Sequence, residues 1–231
     1  MQIFITGISS MATRQLLAEL VASYQEIVLC DIAIESVGGV DAAKRVQAGE
    51  KFDMVVLASD AIDKLIASGH IDPTSKVNLV NSGVAVAVKK GATQPDISTK
   101  EAVKAAVLAA KTISYSTGPS GVALAKLFEQ WGIEQEIASR IVLAPPGVPV
   151  GSLVAKGEVE LGFQQLSELI HLEGINIVGP LPHEIQITTT FSAGICMASR
   201  QAGAVRDLLA FMTSPDAIPA KLRQGMEVIS L

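Results

Sequence analysis

Two β-rich runs, residues 77–88 (VNLVNSGVAVAV) and 184–197 (EIQITTTFSAGICM), are each too long for one ordinary strand and interrupt a regular alternation of shorter elements. Each reads as a segment that crosses between two lobes. Around them the pattern is that of an α/β protein. A strand at 3–6 (IFIT) precedes a helix at 11–24, with Leu16, Leu17, Leu20 and Val21 on one face. A strand at 27–36 precedes a helix at 40–47, and a strand at 54–58 precedes a helix with Asp60 as its N-cap. Ser98-Thr99-Lys100-Glu101 is a capping box opening an Ala-rich helix to about Ala110. A helix from Ser120 places Val122, Ala125, Phe128 and Trp131 near one face. Short segments follow at 153–156, 159–163 and 175–178 before the second long run. The tail reads as a helix at 201–212, then a last helix to about Gln224 with Ser214 as cap and Pro215 at its first position.

With 231 residues, 49% of them hydrophobic and 18% charged, the chain can bury a real core in one large domain or two lobes. A net charge of −5 gives no general footprint for nucleic acid, so an anionic ligand must be held locally. The uncharged stretch 141–155 is broken by Pro145, Pro146, Gly147, Pro149 and Gly151, which excludes a membrane-spanning helix there. The strand-like residues begin at Gln2, leaving no secretory signal in MQIFITGISS. As written the chain is expected in the cytoplasm, and in the periplasm if Met1 opens a mature form. Cys30 and Cys196 lie far apart in strand-like surroundings and read as reduced buried thiols.

The first strand-to-helix turn, residues 6–13, invites comparison with a dinucleotide-binding turn, with Asp31 downstream for a ribose. Met11 and Thr13 stand where such a turn needs bare backbone, so the comparison fails. The turn instead offers the hydroxyls of Ser9 and Ser10 and free N–H groups at a helix start, with Arg14 one turn further in. An ordinary serine cap with a solvent-facing arginine has the same sequence. The feature repeats at Gly38-Gly39, at Ala58-Ser59-Asp60, and at Ser116-Thr117-Gly118-Pro119-Ser120-Gly121. In a parallel sheet all four turns fall at strand C-terminal ends, where α/β folds place ligands.

The blocks Ala48-Gly49, Asp53 and Ala58-Ser59-Asp60, and GEVELGFQQLSEL at 157–169, resemble the molybdate-type substrate-binding proteins of ABC transporters, within the type 2 periplasmic binding protein superfamily. The likeness runs through nearly the whole chain. It implies two α/β lobes, residues 1–82 with 190–231 and residues 83–189, with a ligand cleft between them. It also implies an oxyanion contact from Ser10, and places Ser59 in the turn lining the cleft. In place of the second-turn serine of those binders stand Gly39 or Val40, followed by Asp41, and Gln164-Gln165 replace the tyrosine expected after Gly162. Gln164, Gln165, Arg14, Tyr115, Ser116 and Thr117 suit a planar carboxylate better than a tetrahedral oxyanion, because amide and guanidinium donors match its geometry.

Bacterial aconitate isomerases are similar too, through the QQ-x-SEL region, which implies an alternative activity: isomerisation of unsaturated tricarboxylic acids. That chemistry needs anion clamps and one proton carrier. His70 and His171 follow helix ends and His183 lies in a loop, leaving Glu168, Asp60, Asp41 and Lys126 as carriers, none marked out by sequence. No G-x-S-x-G elbow, metal-site spacing or cofactor motif is present. The expected protein is a two-lobe receptor that closes on a small anion by hinge motion. The anion is a carboxylate or a molybdate-like oxyanion. Its binding residues are Ser9, Ser10, Arg14, Gly38, Gly39, Ser59, Tyr115, Ser116, Thr117, Ser120, Gln164 and Gln165. The expected state is a monomer without metal, cofactor, nucleic acid or membrane insertion, with an ABC permease as partner if exported. A cytosolic sensor domain is a third reading.

Overall fold

The computed structural model describes residues 3–145 and 147–229, so Gln2 and Pro146 lie outside it. In chain order the elements are β1 (Ile3–Ser10), α1 (Arg14–Ile27), β2 (Cys30–Val37), α2 (Gly39–Gln47), β3 (Met54–Ala58), α3 (Ser59–Ala67) and β4 (Val77–Lys89). They continue as α4 (Lys100–Ala109), β5 (Ile113–Tyr115), α5 (Pro119–Gln130), α6 (Glu134–Ile137), α7 (Val150–Lys156), β6 (Leu161–Gln165) and α8 (Leu166–Leu169). The chain closes with β7 (Ile175–Pro180), β8 (Thr188–Ile195), α9 (Ala202–Thr213) and α10 (Ile218–Arg223). It divides into two compact units, Met1–Asn81 with Thr190–Leu231, and Ser82–Thr189. β4 leads from the first unit into the second, and β8 leads back.

In the first unit β1 lies between β2 and β3, parallel to both, from Ile3↔Cys30 to Ser10↔Val37 on one side and Gly7↔Met54 to Ser9↔Val56 on the other. β8 runs antiparallel to β3. Every residue of β3 is buried, because helices cover both sheet faces. Met54 and Val56 join the core formed with α1 and α9, while Val55 and Leu57 join the core formed with α2 and α3. This alternation follows from the two-residue period of a strand. Asp53, from the block shared with the substrate-binding proteins, is a tie rather than a ligand group. Its Oδ2 accepts from the Thr6 amide (2.9 Å) and hydroxyl (3.0 Å), and its Oδ1 accepts from the Ser199 hydroxyl (2.7 Å). Asp53→Ala strands the Thr6 amide and is expected to cost about 2 kcal/mol in urea unfolding, whereas a loss under about 0.5 kcal/mol would remove the tie from the stability of this unit.

In the second unit β4 is flanked by β6 and β7, both antiparallel to it, and β5 lies parallel beside β6. Val84, Val86 and Val88 face the larger core around Phe128 and Phe163. Ala85 and Ala87 face the other way with Leu169. Small residues are needed on that side: a β-carbon at Gly162 would lie 2.5 Å from Val154 Cγ2 of α7.

Several helix starts differ from the sequence reading. Residues 11–13 form a 3-10 turn and α1 begins only at Arg14. Asp60 does not cap α3, because Ser59 is already helical and Ala58 holds the cap position. In the box at 98–101 the cap is Thr99, whose hydroxyl accepts from the Ala102 amide (3.1 Å), while the Ser98 amide is engaged by Asp96 (2.9 Å). Val122 is exposed, and Leu124 with Phe128 forms the buried face of α5. The segment at 153–156 belongs to a helix, α7. Ser214 and Pro215 open a 3-10 turn before α10. Both cysteines are buried free thiols, and burial beside the Asp53 charge pushes Cys196 up to about 12.

Candidate functional site

β1 ends with Ser9 and Ser10, and strand alternation sends them to opposite faces of the sheet. Ser9 Oγ lies 2.8 Å from Ser36 Oγ, its register neighbour on β2. Ser10 is 7% exposed, and its Oγ has no hydrogen-bond partner. It lies against the start of α2, where a β-carbon on Gly39 would be 3.6 Å from that of Ser10. Gly38 caps α2 without a side chain, and Ser59 stands at the first position of α3, also without a side-chain cap. The turns after β1, β2 and β3 therefore all lie at the C-terminal ends of parallel strands. Their leading amides have no side-chain cap and can meet an anion.

Arg14 is exposed at the start of α1 and opens onto a groove of about 480 Å³ with Leu17, Ala18, Val21, Ile32, Ile34 and Ser36. That groove lies on the Ser9–Ser36 side. The arginine is thus grouped with Ser9 and separated by the sheet from the unpartnered hydroxyl of Ser10.

In the second unit the β5–α5 turn carries Tyr115, Ser116, Thr117 and Ser120. The Tyr115 ring packs edge-on to Phe128 (6.0 Å between centroids), and burial raises its phenol above the ordinary tyrosine range. Ser116 Oγ and Ser120 Oγ lie 3.4 Å apart, and Thr117 is exposed. Gly118 provides no side-chain cap for α5. The turn is tight because Gly121 lacks a β-carbon, which would stand 1.6 Å from the Ser116 carbonyl oxygen.

β6 ends in two buried amides with different duties. Gln164 Oε1 accepts from the Gly151 amide (3.1 Å) in the first turn of α7, and its Nε2 donates to Glu168 Oε2 (2.8 Å). Gln165 Nε2 donates to Thr189 Oγ1 (2.9 Å), and its Oε1 is buried without a partner. Glu168 is partly buried, and desolvation pushes its carboxyl up to about 7 against the opposing Gln164 hydrogen bond. The sequence reading missed the Gln164–Glu168 pair, because Gln164 lies in β6 and Glu168 in α8, and a four-residue spacing signals a contact only within one helix. It also missed Ser82, which is fully buried with an unpartnered hydroxyl, and Thr189. Among the described residues no cluster of three or more His, Cys, Asp or Glu could hold a metal ion, and no helix is long and apolar enough to cross a membrane.

Residues 5–227 match the family of bacterial extracellular solute-binding proteins, and the chain belongs to that family. The chain is 38% identical over 186 residues to an aconitate isomerase of Pseudomonas sp, covering 80% of this chain and 71% of that protein. Its fold is similar to that of the periplasmic molybdate-binding protein of Azotobacter vinelandii, with a TM-score of 0.81 and 18% identity over 98% of this chain and 100% of the other. It is likewise similar to a tungstate ABC transporter structure from Geobacter sulfurreducens, with a TM-score of 0.76 and 14% identity over 94% and 97% of the two chains. The family and the type 2 periplasmic-binding fold expected from the sequence are the ones found.

Proposed function

We propose that this chain is a receptor of the ABC-transporter solute-binding kind for a small carboxylate anion, working outside the cytoplasm with a membrane permease. The observation that carries this reading is the Ser10 hydroxyl, buried and unpartnered at a strand end beside the uncapped start of α2. A buried polar group left unmade costs about 1–3 kcal/mol, which a ligand oxygen accepting from Ser10 would recover. Gln165 supports a planar acid over a tetrahedral oxyanion. Because the Thr189 hydroxyl both donates and accepts, the Gln165 amide can turn over, presenting NH2 to a carboxylate or C=O to a carboxylic acid. Ser59, Gly38, Gly39, Ser116, Thr117 and Ser120 supply further hydroxyl and backbone donors in this reading. Ser9 and Arg14, on the other side of the sheet from Ser10, and Tyr115, packed on Phe128, stand outside that donor set, and Gln164 positions Gly151 and Glu168.

Thermal shift and calorimetry with molybdate, tungstate, sulfate, and di- and tricarboxylates test it. Carboxylates are expected to stabilise the protein most, and Ser10→Ala or Gln165→Ala to weaken them at least about tenfold. No stabilisation by any anion overturns the proposal, and preference for molybdate overturns the carboxylate part of it.

A second reading is favoured by the 38% identity to an aconitate isomerase. In it the bound acid is an unsaturated tricarboxylate, and the protein moves its double bond.

A further inference from the structure

Among the proton carriers singled out by sequence, three are solvated. Asp41, Asp60 and Lys126 are all exposed, and Asp60 lies 3.8 Å from Lys64 on the open face of α3. Glu168 is different. One carboxylate oxygen is fixed by Gln164, whose own carbonyl is fixed by the Gly151 amide, so the chain from α7 through β6 to α8 sets the position of that carboxyl. Among the described residues Gln164 is the one side chain that hydrogen-bonds this carboxyl, which leaves Oε1 open. A carboxyl held at one oxygen and open at the other can take up a proton and return it without losing its place.

We propose that Glu168, anchored through Oε2 by Gln164 and free at Oε1, carries the proton in an allylic proton shift on a bound unsaturated polycarboxylate. This rests on the isomerase reading above. The Glu168 carboxylate takes a proton from the methylene carbon, and the C–H electron pair becomes the new double bond to the central carbon. The former double-bond pair then takes the proton back from the Glu168 carboxylic acid at the far carbon. Substrate and product are isomers, so no oxidant, reductant or co-reactant is consumed. The desolvated carboxyl, raised to about 7, is suited to both halves of this step at neutral pH. No charged neighbour contributes to that rise: burial raises it and only the neutral Gln164 opposes.

The test is incubation of the intact protein with trans-aconitate in deuterated water, followed by proton NMR, with thermal shift by the same acid as the binding readout. The wild type is expected to form the cis isomer, with solvent deuterium in its methylene group to the extent that the Glu168 carboxyl proton exchanges with solvent between the two transfers, and kcat/KM is expected to rise with pH through about 7 as the base form appears. Glu168→Gln keeps an acceptor for Gln164. It is expected to lower kcat at least about 100-fold with KM within about threefold, while the thermal shift survives. If the wild type turns over and Glu168→Gln matches it in rate and pH profile, Glu168 is not the carrier and the isomerase reading stands. If Glu168→Gln loses the thermal shift as well as turnover, the role assigned here is overturned in favour of a structural one. If the wild type binds carboxylates but neither isomerises nor deuterates trans-aconitate, the isomerase reading and this inference fall together, and the receptor reading remains.

Discussion

Phe128→Ala is expected to destabilise the Ser82–Thr189 unit by about 4 kcal/mol, lowering its melting transition by roughly 15 °C. The side chain is 1% exposed and is met by three other rings, Tyr115 at 6.0 Å, Trp131 at 5.9 Å and Phe163 at 6.1 Å between centroids. Those rings come from β5, the end of α5 and β6, so the surroundings cannot collapse into the space without moving the sheet away from the helix. The chain has one tryptophan, Trp131, which packs on Phe128, so its emission reports melting of this unit alone. A fluorescence transition within about 3 °C of wild type would show that Phe128 is not the centre of this core.

Gly121→Ala is expected to cost more than about 3 kcal/mol, although alanine is ordinarily the better helix former by about 1 kcal/mol. The new β-carbon would stand 1.6 Å from the Ser116 carbonyl oxygen and 2.6 Å from its carbon. Both atoms are backbone, so relief requires the turn at Ser116–Gly118 to move, and anion binding through that turn should be lost with it. Gly203→Ala is the control. It lies in the first turn of α9 with nothing within 4 Å of an added β-carbon, and it should stabilise by about 0.5–1 kcal/mol. Urea unfolding of the two variants should move in opposite directions, and parallel shifts would contradict the difference in packing.

Much of this architecture is legible from local pattern. The first overlong run became the single strand β4, whereas the second divides into a 3-10 turn at His183–Ile185 and the shorter β8, and both strands carry the chain between units. Helix starts were less legible: Ser59 and Ser98 each sit one residue from the role their type suggests, and only the backbone decides which residue caps. The site was legible by residue type and not by role. Ser9 and Ser10 look equivalent in sequence, yet strand parity gives one a partner and leaves the other open. Gln164 and Gln165 look equivalent too, but their partners, Gly151 and Thr189, come from opposite directions along the chain, where no local pattern reaches.

The order in which the chain builds its units bears on its synthesis. Residues 82–189 form one unbroken stretch that can complete its core as soon as it has emerged from the ribosome. The first unit begins earlier but cannot finish: one core cluster joins Ile5 and Leu16 to Phe191, Leu208 and Met226. Its strand β3, apolar on both faces, therefore waits until residues 190–231 have been made. Until then the stretch up to Asn81 is the one most prone to aggregation, and the segment from Thr190 onward is what relieves it.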